Sequence, residues 1–292
     1  MLRHKSVLRS PHLELRWSGI IWSPSTQSGA VPAVVIAHGL GGLQSSRLQP
    51  YAERFANAGY HAITFDYRYW GESDGQPRNI VDVPSQQDDY KAAISAVKTM
   101  PGVDGDRIVI WGTSLSGGHV LELGAKLPEL AAVIAQAPHV NGPATASQLP
   151  PASLPGLVAQ GTTDAAGAAL GQPPLYIPLA NKTGENGALT QAGAYEGCQF
   201  IQPNPPPPGN VFPARFVLQL PFFVPDSYAA DSHHPTYFGV GLTDNVTLLN
   251  LQSPWLAGCP MLLFTSTPIL ATSMCTQESI HTRRTFRTNW PS

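Results

Sequence analysis

The chain has 292 residues, of which 42% are hydrophobic and 12% are charged, with a formal net charge of -2. This length fits one large domain with an insertion better than two separate domains, and the apolar content excludes overall disorder. The low charge leaves no basic face for nucleic acid and no polybasic patch for a membrane surface. We expect the chain to act on a small, largely apolar molecule.

The cellular location is predicted from what the chain lacks. The N-terminal residues contain no apolar run typical of a signal peptide, and no stretch approaches the roughly 20 apolar residues that span a membrane. The three cysteines, Cys198, Cys259 and Cys275, are odd in number and lack metal-ligand spacing, which indicates a reducing compartment. The sequence therefore predicts a cytoplasmic protein.

Short apolar runs alternate with segments of helical periodicity. The alternating pattern of residues 13–22 predicts a leading antiparallel strand or hairpin, and buried strands are expected at residues 33–37, 62–65, 108–111 and 131–135. Helices are expected at residues 45–58 and 84–100 and directly after the third of these strands. This alternation predicts an α/β fold with a mostly parallel sheet and helices on both faces.

The alternation stops at residues 140–234, which are rich in Pro, Gly, Ala and Ser. This composition suits a disordered linker, but the interspersed aromatic residues favour a cap or lid inserted over a pocket. The core is then divided into residues 1–139 and residues 235–292. Residues 236–241 are expected to form a returning strand that leads to Asp244.

The segment Gly112-Thr113-Ser114-Leu115-Ser116 joins a predicted strand to a predicted helix. That context suits the nucleophile-elbow motif G-x-S-x-G, with Ser116 in place of the second glycine. Such a turn raises the Ser114 hydroxyl above the sheet and directs helix N-terminal amides at an oxyanion. The alternative is a Gly/Ser helix start without chemistry.

A second glycine-rich segment, residues 38–42 (HGLGG), follows the first buried strand. The amides of Leu40 and Leu115 would form a two-donor oxyanion hole. His38 precedes Ser114 in the chain, whereas proteins with this elbow motif supply the catalytic base after the nucleophile and the acid. We therefore expect His38 to be a structural histidine beneath the oxyanion loop. Asp244 is the expected acid of a Ser-Asp-His triad, with a turn residue as the alternative. No metal or organic cofactor is implied.

These motifs resemble the α/β-hydrolase superfamily. The resemblance rests on residues 38–42, on FDYRYWGESDGQPR at residues 65–78 and on WGTSLSGGHV at residues 111–120, and it is greatest to hydrolases and acyltransferases related to fungal polyketide transferases. It covers about residues 10–247, including GQPPLYIPL at residues 171–179. The resemblance implies Ser114 as nucleophile, Asp244 as acid, and an ester, thioester or polyketide acyl substrate in secondary metabolism.

The C-terminal tail departs from that pattern, because the family's histidine follows the acid in a Gly-His-Phe-Asp segment. The only histidine after Asp244 is His281, a weak candidate without a preceding glycine turn. Codons that encode Leu270–Cys275 include a set that reads Gly-His-Phe-Asp-Val in another frame. We therefore hypothesise a frame-shifted tail and expect such a chain to lack its base, its last strand and its last helix. Three functions stay open: a serine hydrolase, a polyketide or acyl transferase, and a catalytically inactive relative.

Overall fold

A computed structural model describes residues 2–9, 16–202, 210–229, 231–241, 246 and 262–267. Its strands are β1 (Leu2–Arg9), β2 (Arg16–Ser23), β3 (Val31–Ala37), β4 (His61–Phe65), β5 (Val103–Thr113), β6 (Ala132–Gln136), β7 (Tyr176–Pro178), β8 (Val211–Pro213), β9 (Thr236–Gly241) and β10 (Leu262–Thr267). Its α-helices are α1 (Gln49–Asn57), α2 (Val83–Lys98), α3 (Leu115–Lys126), α4 (Gly142–Ser147), α5 (Leu154–Ala169), α6 (Ala194–Ile201), α7 (Phe216–Gln219) and α8 (Asp226–Ala229).

Eight of the described strands form one mixed sheet in the order β1-β2-β4-β3-β5-β6-β9-β10. β1 and β2 form an antiparallel hairpin, and β2 pairs antiparallel with β4. The remaining neighbours are parallel, from β4 through to β10. The predictions of a leading hairpin and of a mostly parallel sheet are therefore confirmed.

The central strand β3 explains how the two faces of the sheet are covered. Val34 and Ile36 belong to a hydrophobic cluster that includes Ala52 and Ala56 of α1. Val35 lies in a second and larger cluster that includes residues of α2 and α3. Because side chains alternate across a strand, a continuous apolar run supplies both clusters at once.

The start of α1 and the presence of a last strand differ from the predictions. Helix α1 begins at Gln49 rather than at residue 45, and a proline stands in its first turn, where the fixed backbone angle of proline suits a helix start. The expectation that the last strand is missing is wrong, because β10 pairs with β9 in parallel from Leu262 to Thr267. The hypothesis of a shifted frame concerns residues beyond this strand, which lie outside the described residues.

The described part of residues 140–234 forms short helices and a two-stranded sheet of β7 and β8 between β6 and β9. Leu157, Ile177, Phe212 and Phe216 of this insertion join the large core cluster. Burial of these apolar side chains attaches the insertion to the sheet domain. Among the described residues, we find no helix with the length and apolarity that a membrane span requires.

Candidate active site

Ser114 lies at the tight bend between β5 and α3. Its backbone has φ 56° and ψ -121°, a conformation that is strained for a residue with a side chain. Hydrogen bonds hold the bend: the Ser114 amide donates to the Gln136 carbonyl (3.0 Å), and the Ser114 carbonyl accepts from the amides of Gly118 (3.2 Å) and His139 (2.8 Å). The strain is thus maintained by the neighbouring strand β6 and by α3 itself.

Gly112 is the glycine that this bend requires. A Cβ added at position 112 would overlap the main-chain carbonyl of Ser116, which lies in the first turn of α3. The end of β5 and the start of α3 therefore approach each other as the elbow motif demands.

The loop after β3 lies directly against Ser114. A Cβ added at Gly39 would lie 2.8 Å from Ser114 Cβ, 2.9 Å from the Thr113 carbonyl oxygen and 3.3 Å from Ser114 Oγ. Leu40 follows in this loop, and Leu115 is the first residue of α3. A helix N-terminus leaves its first amides without partners inside the helix. The structure thus brings together the loops that carry Ser114, Leu40 and Leu115.

His38 lies beneath the same loop and is almost fully buried. Its Nδ1 donates to the Gly39 carbonyl at 2.9 Å, and its ring meets the ring of Tyr67 edge to face. Burial lowers the pKa of His38, and this effect exceeds that of the nearby Asp66 carboxylate, which raises it. The ring is therefore neutral and supports the glycine loop, which is the structural position expected from the sequence.

Two further buried histidines surround the elbow. His119 Nε2 donates to the Gln86 side-chain oxygen at 2.9 Å. The His139 ring stacks on Phe223 and lies 3.2 Å from the Thr145 hydroxyl. Burial, reinforced by its histidine neighbours, lowers the pKa of His119 to about 3, and burial lowers the pKa of His139 to about 4. Both rings are neutral near pH 7.

His139 and the hydrogen-bond partners of Ser116 are features of the site that were not predicted from the sequence. A signal for His139 was present, because Pro138 and His139 follow β6, and the ends of parallel neighbours β5 and β6 meet at one edge of the sheet. Ser116 Oγ lies 3.0 Å from the Tyr67 hydroxyl and 2.8 Å from the Tyr90 hydroxyl. The signal there was the replacement of the second motif glycine by serine.

The acidic residues after β4 act in turns. Asp66 is buried and accepts from the Gln44 amide (2.7 Å), the Gln44 side chain (3.1 Å) and the Glu72 amide (3.2 Å). Asp74 pairs with Arg16 at the surface. These carboxylates are therefore occupied in holding the loop.

The insertion contacts the loops around Ser114. A Cβ added at Gly41 would overlap the side chain of Leu179, and the Gln202 side chain reaches the Gly41 carbonyl at 3.5 Å. Arg47 donates to the Phe200 carbonyl at 2.8 Å and lies 3.9 Å above the Phe200 ring. The insertion therefore packs against the same glycine loop that contacts Ser114.

Asp244 and His281 lie outside the described residues, so the predicted acid and the weak candidate base stay predictions. Asp244 would follow β9, which pairs in parallel with β6. Within the described ranges, no group of three or more His, Cys, Asp or Glu side chains is arranged to hold a metal ion.

Comparison with known proteins gives a family match over residues 29–171, to the hydrolase family described as serine aminopeptidase, S33. The quorum-quenching protein AidA of Acinetobacter baumannii is 38% identical over 233 residues, which cover 80% of this chain and 76% of that protein. A thiohydrolase of Eupenicillium brefeldianum is 32% identical over 163 residues, which cover 56% of this chain and 51% of that protein.

A third relative is known in both sequence and structure. The polyketide transferase GrgF of a Penicillium species is 29% identical over 161 residues, which cover 55% of this chain and 52% of that protein. The crystal structure of the α/β-hydrolase GrgF from Penicillium sp. sh18 matches with a TM-score of 0.76 at 22% identity, covering 91% of this chain and 90% of that chain. The structural match shows the α/β-hydrolase fold.

Proposed function

Since the chain belongs to the α/β-hydrolase family described as serine aminopeptidase, S33, we propose that it cleaves an ester or thioester through an acyl-enzyme on Ser114. One observation carries this proposal: the backbone of Ser114 has a positive φ of 56° at the bend between β5 and α3, with Gly39 packed against it. A strained backbone persists only where its surroundings hold it, and such positions cluster at active sites.

The proposed chemistry needs no metal or cofactor. Ser114 Oγ attacks the substrate carbonyl carbon and gives its proton to a base, and the carbonyl oxygen takes the negative charge. The amides of Leu40 and Leu115 donate to that oxyanion, with each donor contributing about 3 kcal/mol to transition-state stabilisation. The leaving group departs with a proton, and water then releases the free acid from the acyl-enzyme.

We assign the acid of the triad to Asp244, and the only histidine after it, His281, is the weak candidate for the base. The buried histidines near Ser114 are unsuitable bases. His38 donates to the Gly39 carbonyl, His119 binds the Gln86 side chain, and His139 stacks on Phe223. Burial lowers the pKa of all three rings, so they resist taking the serine proton.

We assign residues 140–234 to a lid that selects the acyl group. Its contacts with Gly41 and Arg47 support this role, because they lie on the loop that would bind the oxyanion. The proposed partner is therefore a small acyl molecule rather than nucleic acid or a membrane. We also propose a cytoplasmic site of action, because Cys198 is a free cysteine and the three cysteines are odd in number, which suits a reducing compartment.

A fluorophosphonate probe tests the proposal directly, because it reacts with activated serine nucleophiles. We expect the wild-type chain to be labelled at Ser114 and the Ser114→Ala variant not to be labelled. Ser95→Ala, which changes an exposed serine of α2, is the matched control and should label like the wild type. Labelling that persists in Ser114→Ala would contradict the assignment. A folded wild type without labelling would favour the catalytically inactive relative, which the absent Gly-His-Phe-Asp segment supports.

Acyl transfer is the second candidate, and the polyketide transferase GrgF among the relatives supports it. Transfer differs from hydrolysis only in the group that attacks the acyl-enzyme, an alcohol or an amine in place of water. Incubation with a thioester and candidate alcohols, followed by mass analysis, separates the two. Free acid alone indicates hydrolysis, whereas a new ester indicates transfer.

A further inference from the structure

We propose that Ser116, Tyr67 and Tyr90 form a positioning network that fixes the first turn of α3, and with it the amide of Leu115. Ser116 stands two residues after Ser114, where the elbow motif has its second glycine, and it is fully buried. The inference rests on the proposed role of Ser114 and names residues that act through the elbow without touching substrate.

The hydrogen bonds of this network have one consistent direction. The Tyr90 hydroxyl donates to the Trp111 carbonyl at 2.7 Å, so its single proton is used there. The 2.8 Å contact between Ser116 Oγ and Tyr90 must therefore be a donation from the serine. The Tyr67 hydroxyl in turn donates to Ser116 Oγ at 3.0 Å. The relay thus runs from Tyr67 through Ser116 and Tyr90 to the strand carbonyl, and each hydroxyl is satisfied.

The network joins the elements that form the elbow. Trp111 lies near the end of β5, Ser116 in the first turn of α3, Tyr90 on α2 and Tyr67 in the loop after β4. The relay spans the bend at Ser114 from beneath, linking the strand before it to the helix after it. A rotation or slide of α3 against β5 would break it.

The buried tyrosines support a positioning role rather than proton transfer. Burial raises the pKa of both Tyr67 and Tyr90, so both hydroxyls stay protonated across the working pH range. Each ring is fully enclosed in the core cluster. A neutral, fully satisfied network in a rigid core holds geometry, which suits an amide that must face a developing oxyanion.

The test separates positioning from stability. Ser116→Ala removes the acceptor of the Tyr67 hydroxyl and leaves that donor buried without a partner, so its Tm should fall. The double variant Ser116→Ala with Tyr67→Phe removes the stranded hydroxyl as well, and its Tm should recover toward the wild type. The rate of fluorophosphonate labelling at Ser114 should stay roughly 10- to 100-fold lower in the double variant, because a small misplacement near the reacting atoms has effects of this size.

Hydrogen exchange of the amides of residues 115–118 is the second measurement, and it does not depend on activity. We expect faster exchange in the double variant than in the wild type at matched Tm. Two results in the double variant would overturn the positioning role of the network. One is a labelling rate that recovers together with Tm, and the other is amide exchange at residues 115–118 that equals that of the wild type. If the wild type is not labelled, the proposed function fails, and the exchange measurement alone then decides whether the network fixes the elbow.

Discussion

Gly39→Ala tests the contact between the glycine loop and the elbow. The added Cβ would lie 2.8 Å from Ser114 Cβ and 2.9 Å from the Thr113 carbonyl oxygen. The first distance is about 0.7 Å short of the ~3.5 Å at which carbon atoms make favourable contact. Hydrogen bonds to Gln136 and His139 hold the Ser114 backbone, so the glycine loop must move instead.

Overpacking of this kind typically costs about 1–3 kcal/mol of folding free energy. The movement also carries the Leu40 amide away from the proposed oxyanion position, so labelling at Ser114 should slow by roughly 10- to 100-fold. Urea unfolding and the fluorophosphonate rate measure the two effects. Gly156→Ala in α5 is the control: a Cβ there meets nothing within 4 Å, and alanine should raise stability by up to about 1 kcal/mol without changing the labelling rate. A Gly39→Ala variant with wild-type stability and labelling would refute the loop placement.

Three further predictions concern stability and coding. Asp89→Ala should lower the free energy of unfolding, measured with denaturant, by roughly 3–5 kcal/mol, because it leaves the buried Arg68, which Asp89 binds at 2.7 Å, without its ion-pair partner. The control Asp88→Ala, on the exposed face of the same helix, should leave stability almost unchanged. Because burial lowers the pKa of His119 from 6.5 to about 3, the unfolded chain takes up a proton first as pH falls. Below about pH 6.5, His119 should therefore lower the free energy of unfolding by about 1.4 kcal/mol for each unit that the pH falls. His119→Gln should reduce this pH dependence when the free energies of unfolding at pH 7.5 and pH 5.5 are compared. The coding DNA for Leu270–Cys275 should read Gly-His-Phe-Asp-Val in an alternative frame; any other reading ends the frame-shift hypothesis.

The strands of the core were predictable because a parallel sheet covered on both faces needs continuous apolar runs. Residues 33–37, 62–65 and 131–135 are such runs. The first two lie wholly in β3 and β4, and the third lies in β6 from residue 132 onward. The elbow was predictable because its motif is local: a glycine and a serine stand between an apolar strand and the helix that follows it. The residues that mark the bend are few and close in sequence, whereas Gln136 and His139, which hold it by hydrogen bonds, are distant in sequence.

The partners of the elbow were not predictable from local pattern. Tyr67 and Tyr90 lie 49 and 26 residues away from Ser116, and no local pattern connects either tyrosine with the elbow. The start of α1 was misplaced for a different reason. Leu48 continues the apolar spacing of a helix, but the turn at residues 44–47 comes before the proline in the first turn of the helix. Tertiary context therefore determined the partners of the elbow, whereas local turns before a proline determined the start of α1.

The order of the strands limits where the predicted acid can act. β6 lies between β5, which leads to Ser114, and β9, which leads toward Asp244, and Gln136 pairs with Gly239 at the shared edge. Two strand spacings amount to roughly 10 Å. An extended chain of three residues spans about 10 Å, so the proposal that Asp244 is the acid requires the chain after Gly241 to cross this distance toward a base beside Ser114.

The same geometry bears on the missing base. β10 runs parallel to β9 and ends at Thr267, so its carboxyl end meets the edge of the sheet that carries Ser114. An α/β-hydrolase supplies its histidine after the acid, from the chain that follows a last strand. The alternative reading of Leu270–Cys275 would put a Gly-His-Phe-Asp segment a few residues beyond Thr267. The sheet thus offers the strand after which that histidine belongs, and the frame-shift hypothesis predicts that the coding DNA carries the histidine at this point in another frame.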